Sequence, residues 1–138
     1  MSAAHTISFE QEFQYREIPG LGMLPAIVVG LIGPSGQDDF PAIIDTGATY
    51  SLFNGIRARA IGLELSEGRS EYLTGLSGQL PARIHRVTLE LLGHRFVCEV
   101  AFSEQAIRRE LLGRNDLFEH IRLGFLEGSS LGYFHPTP

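Results

Sequence analysis

The residues best suited to chemistry lie in the stretch 40–53, Phe-Pro-Ala-Ile-Ile-Asp-Thr-Gly-Ala-Thr-Tyr-Ser-Leu-Phe, where a lone carboxylate, Asp45, follows an apolar run and enters a tight turn. A carboxylate in that setting is costly to bury unless hydrogen bonds or an opposite charge compensate it. Gly47 permits a turn that brings backbone N–H groups to face the Asp45 side chain. Two such carboxylates held together could share a proton, one acting as base toward a water and the other polarising a carbonyl. Other candidates are weaker. Asp38 and Asp39 read as a solvated turn, because no other ligand type clusters with them. The five histidines, His5, His85, His94, His120 and His135, lack short ligand spacing, and no His-Glu-x-x-His pattern occurs, so no metal site is expected. No Gly-x-Ser-x-Gly elbow supports a serine hydrolase, and Gly75-x-x-Gly78 is too short for a phosphate loop. Cys98 shares a strand face with Phe96, Val100 and Phe102, which places it in the core rather than in a nucleophile's setting.

The elements that must position Asp45 follow from the apolar pattern. Ala42, Ile43 and Ile44 form the short continuous run of a strand covered on both faces, and Ser51, Leu52 and Phe53 resume it after the turn. Upstream, 5–15 reads as a strand with odd positions inward, 23–32 as a central strand, and 33–39 as the loop that closes a hairpin into the Asp45 strand. Asn54 caps a short helix through Ile56, Ala60 and Ile61, with Gly62 at its end. In 71–80, Gly75 and Gly78 flank Leu76 between two extended arms. A strand over 83–92 turns at Gly93-His94 into another over 95–102, and 103–109 is helical or irregular. Leu111-Leu112-Gly113 returns to the core, and Asn115 or Asp116 caps a second short helix through Leu117, Phe118 and Ile121. A hairpin over 121–134 and a tail over 135–138 finish the chain. Many short strands, one or two short helices and frequent glycine predict an all-β fold, a small closed or partly closed barrel.

Two segments carry a family resemblance. Apolar-apolar-Asp45-Thr46-Gly47-Ala48 followed by Ser51-Leu52-Phe53 resembles the active-site loop of retropepsin-like aspartic proteases, the family of the retroviral proteases and of the protease domain of the DNA-damage-inducible ubiquitin receptors. The stretch 110–118, Glu-Leu-Leu-Gly-Arg-Asn-Asp-Leu-Phe, resembles that family's apolar-apolar-Gly-Arg-Asn segment, which closes the loop beside the active site. The resemblance implies an acid-protease β-barrel with a flap hairpin. It also implies catalytic residues Asp45, Thr46 and Gly47, substrate contacts from Ala48, Thr74, Gly75, Leu76, Ser77 and Gly78, and support of the loop by Leu112, Gly113, Arg114 and Asn115. Only one Asp-Thr-Gly is present, so the resemblance implies a homodimer whose two Asp45 carboxylates meet on the axis, with Thr46 interlocking the two loops. Peptide or protein is the implied substrate, and no cofactor is implied. Two departures stand out: Thr49 and Tyr50 occupy positions that are acidic in retroviral members, and a hairpin replaces their single terminal strand.

A length of 138 residues suits one domain spanning 1–138, and 43% hydrophobic with 20% charged residues describes an ordinary globular chain. A net charge of −5, with Lys and Arg totalling 11, argues against nucleic acid as a partner. No basic segment followed by an apolar stretch opens the sequence and no run has transmembrane length, so neither a secretory signal nor a membrane partner is expected. One cysteine excludes an internal disulfide and fits a reducing cytoplasm. The competing reading is a non-catalytic peptide-binding or dimerisation module on the same fold. A small barrel carrying an apolar ligand rests on strand content alone.

Overall fold

A computed structural model describes residues 6–76 and 78–137. The chain forms β1 (Gln11–Gln14), β2 (Arg16–Ile18), β3 (Gly22–Leu24), β4 (Ala26–Gly33), β5 (Gly36–Ile44), β6 (Leu52–Asn54), α1 (Gly55–Ala60), β7 (Arg69–Gly75), β8 (Gly78–Leu91), β9 (His94–Ser103), β10 (Leu111–Leu112), β11 (Ile121–Leu126) and β12 (Leu131–Pro136). Seven strands lie in the order β4-β5-β10-β6-β9-β8-β7, and β4 pairs again with β8. That extra pairing closes six of the strands into a ring and leaves β7 attached outside it. A second sheet, β1-β12-β11, joins the two ends of the described chain, and β2-β3 form a separate ribbon. The fold is therefore the partly closed all-β barrel expected from the sequence. Among the described residues no helix is long and apolar enough to cross a membrane.

The barrel interior is filled by alternate residues. On β9, Phe96, Cys98, Val100 and Phe102 all point into one core, with Phe53 packed between Phe40 at 5.0 Å and Phe102 at 6.1 Å between ring centroids. On β8 the buried set changes face: Val87, Leu89 and Leu91 join the main core, while Ala82 and Ile84 form a small cluster with Ala101. Odd and even positions of one strand face opposite sides. The sheet is thus covered on both faces near the start of β8, and Tyr50, Leu52 and Leu73 supply the outer cover.

Several local expectations are corrected. The strand expected over 23–32 is broken at Pro25, which has no N–H to donate and whose carbonyl accepts from Ile44 N at 2.8 Å. The strand expected over 5–15 is confined, among the described residues, to β1; Phe13 and Tyr15 are buried, whereas Ile7 is exposed. The loop expected over 33–39 shrinks to Pro34-Ser35, because Gln37, Asp38 and Asp39 pair with β4. Asp38 is not a solvated turn residue but a partner of Arg57 at 3.3 Å. Asn54 precedes α1 without capping it; its amide is taken by Ile107, donating to the carbonyl at 3.2 Å and accepting from the N–H at 2.8 Å. Gly62 does end that helix, at φ +84. The second helix is only a 3-10 turn, Phe118–His120, since the Asp116 carboxylate accepts from Glu99 N at 2.8 Å instead of capping. His135 and Pro136, expected in a tail, belong to β12.

Candidate active site

Asp45 stands where β5 leaves the barrel, and its strand is held on both sides. Parallel pairing with β10 matches Ile43 to Leu111 and Ile44 to Leu112, and Asp45 N donates to Leu112 O at 2.9 Å. The turn closes when Ala48 N donates to Asp45 O at 3.1 Å and Gly47 N donates to Asp45 Oδ1 at 2.9 Å. Gly47 does not adopt a left-handed φ; a side chain there would bring its Cβ within 3.3 Å of that same oxygen. Glycine keeps that contact from tightening against the carboxylate, and no left-handed φ demands it. Among the described residues, the N–H of Gly47 is the only donor to the Asp45 side chain.

The return path of the loop is crossed by 113–115. Arg114 N donates to Ala48 O at 2.9 Å, Asn115 N to Thr49 O at 2.6 Å, and Gly113 N to the buried Ser51 hydroxyl at 3.0 Å. A Cβ on Gly113 would lie 2.3 Å from Tyr50 O, so only glycine permits this crossing. A polar brace lies behind β10. Arg57 donates to Glu110 at 2.7 Å, to Asp38 at 3.3 Å, and stacks 4.1 Å above the Phe40 ring. Glu110 raises the pKa of Arg57, and burial opposes it.

Asp45 opens onto a cleft of about 730 Å³ between this loop and the β7–β8 hairpin. Of the residues expected at the site, Asp45, Gly47, Ala48, Thr74, Gly75 and Gly78 line that cleft. Thr46 is exposed beside it and does not line it. Leu76 is fully exposed at the hairpin tip, away from the cleft wall, and Ser77 lies outside the described residues. Leu112 and Gly113 are buried under the loop, Asn115 is half-buried, and the Arg114 side chain is exposed.

Residues 29–115 match the family described as aspartyl protease, in the retropepsin clan, a span that contains both the Asp45 turn and the 113–115 crossing. The chain belongs to the aspartyl protease family. None of the curated proteins compared with it matches. In this aspartyl protease family member, Tyr50, Leu52, Glu71, Leu73 and Ile107 also line the cleft, beyond the substrate contacts that the sequence implies. Tyr50 and Leu52 could have been found from their alternation after Asp45, and Glu71 and Leu73 from theirs along the hairpin arm. Ile107 sits in irregular chain and carried no signal. Among the described residues no group of three His, Cys, Asp or Glu side chains gathers in a metal-binding cluster.

Proposed function

We propose that this chain is an aspartic endopeptidase whose working site forms when two copies bring their Asp45 carboxylates together. The observation that carries the reading is Asp45 itself: one oxygen is aligned by Gly47 N–H, and the residue opens onto a cleft large enough for an extended peptide. One carboxylate cannot act as base toward water and as acid toward a carbonyl in the same step. Glu71, the other acid lining the cleft, makes no hydrogen bond with Asp45 among the described residues. A two-fold related copy supplies the missing group with identical geometry.

In the chemistry that follows, the ionised Asp45 removes a proton from a water as its oxygen attacks the scissile carbonyl carbon. The protonated Asp45 of the other copy hydrogen-bonds the carbonyl oxygen and hands over its proton as charge develops. Proton delivery to the amide nitrogen then breaks the C–N bond, releasing an acid and an amine and restoring one proton to the pair. Thr46, exposed on the loop, would meet the partner's loop, and Gly47 and Ala48, which line the cleft, would meet substrate backbone. The hairpin would act as the flap. Five consecutive residues, from Glu71 to Gly75, line the cleft, and both faces of a strand can border one cavity only along its edge. Among the described residues β7 ends its sheet, so that edge could pair with an extended peptide. The tip residues Thr74, Gly75 and Gly78 would then close over it, with Leu76 as the apolar end. A lone buried Cys98 fits a reducing compartment such as the cytoplasm.

A peptide-library cleavage assay from acid to neutral pH, run on wild type and Asp45→Asn, tests the reading. Cleavage by wild type and none by Asp45→Asn is expected. Equal cleavage by both would overturn it.

A further inference from the structure

The cleft carries one sign of charge. Among its described lining residues only Asp45 and Glu71 bear charged side chains, and neither an arginine nor a histidine lines it. Glu71 lies on β7, on the same face as Leu73, with a side chain 38% exposed. No donor hydrogen-bonds its carboxylate among the described residues, and the nearest cation is Arg69, whose Nε stands 3.6 Å away. Arg69 is itself more than half exposed and has a closer partner in Glu99, at 3.3 Å. Its pKa is raised, by Glu99 first and by the Tyr50 hydroxyl second, and Tyr50 lines the same cleft as Glu71. The Glu71 carboxylate therefore stays open to solvent at the cleft and is available to a cation on a ligand. Beside it, Tyr50, Leu52 and Leu73 form an apolar wall packed on Ala82, Ile84 and Ala101.

An apolar wall that ends in a carboxylate held only by a long, exposed ion pair matches one kind of side chain: a long methylene stem with a cation at its tip. We infer that Glu71 is a specificity-determining residue that selects substrates carrying arginine or lysine where the peptide passes Tyr50, Leu52 and Leu73. The stem lies on the wall, and the guanidinium or ammonium takes the position that Arg69 fills only loosely. A cleft of one sign also concentrates basic peptides before they bind. The inference rests on the peptide-binding reading of this cleft. In the two-fold assembly it places one such preference on each side of the scissile bond, because each copy contributes a Glu71.

The test uses pairs of peptides that differ only in arginine against norleucine or glutamate at each position of a cleaved sequence. For wild type the ratio of kcat/KM should favour arginine at two positions. In Glu71→Gln that ratio should fall about fivefold to tenfold, and in Glu71→Arg it should invert toward glutamate. The same peptides are titrated against Asp45→Asn and against the double variants with Glu71→Gln and Glu71→Arg, where binding is read without cleavage. Charge-dependent binding with no cleavage by wild type would sink the protease reading and keep this one. Cleavage with the same arginine ratio in all three Glu71 forms would sink this one and keep the protease. Peptide binding by Asp45→Asn that is indifferent to charge, or absent, also overturns the role of Glu71.

Discussion

On one side of the cleft, Asp45 stands on a loop that is crossed by a buried glycine, paired on both flanks and braced from behind by Arg57 and Glu110. On the other side, among the described residues, nothing lies within 4 Å of a Cβ built at Gly75 or Gly78, and Leu76 at the hairpin tip is fully exposed. Glycine is therefore used for opposite reasons across one cavity. At Gly113 it lets backbone pass against backbone; at Gly78 it supplies the φ of +113 that the hairpin turn needs, and at Gly75 it faces open space. A wall that must hold a carboxylate in register is overdetermined, and a wall that must reach for substrate is left lightly tied.

The same substitution on the two walls separates them most clearly. Gly113→Ala drives a Cβ to 2.3 Å from Tyr50 O and should cost about 3 kcal/mol or prevent folding. Gly75→Ala should change stability by less than about 0.5 kcal/mol. Denaturant unfolding of both measures the difference, and comparable losses would break the comparison. Next in size is Arg57→Ala, which strips Glu110, a side chain only 10% exposed, of its bidentate partner and should cost about 2 kcal/mol, since Arg57 itself is partly solvated. Ser51→Ala leaves Gly113 N without an acceptor in a buried place and should cost about 1–2 kcal/mol by the same measurement.

A thiol reports on the fixed side too. Burial first, and Asp116 second, push Cys98 up to about 12, so the folded chain should resist thiol reagents at neutral pH and react at its unfolding rate. Gly113→Ala should speed that labelling and Gly75→Ala should not. The sign of the linkage follows: the unfolded thiol ionises near its ordinary value of 9.0 while the folded one does not, so this group erodes stability as pH rises from there toward about 12. The smallest effect is that of Leu76→Ser, which should leave stability within about 0.5 kcal/mol. An altered cleavage pattern in that variant would show that the tip reaches substrate.

The sequence made the Asp45 loop and its crossing segment legible because glycine and asparagine there leave few alternatives for the backbone, and their apolar flanks read as core strands. Gly75 and Gly78 likewise marked the hairpin turn. What stayed hidden was decided by distant partners. Asp38 looked like a loop residue because Arg57, which pairs with it, comes from a helix after the active loop. Asn54 has the composition of a helix cap, yet the backbone of Ile107 offers it two hydrogen bonds. Asp116 was drawn away in the same manner by Glu99 N, and the second helix shortened to one turn. His135-Pro136 looked like a tail because proline removes a donor, but β12 lies between β1 and β11 and its other groups still pair. Glu71 was passed over because a glutamate on an alternating strand usually points to solvent, and only the position of the cleft shows otherwise.

The most direct test of two carboxylates from two copies is a mixing experiment. Wild type and Asp45→Asn are unfolded together, refolded at fixed total concentration and assayed for peptide cleavage across a range of ratios. If the working site needs Asp45 from both chains, activity falls as the square of the wild-type fraction, because mixed pairs are inactive. A fall that is linear in that fraction would contradict the shared site and assign catalysis to the single chain.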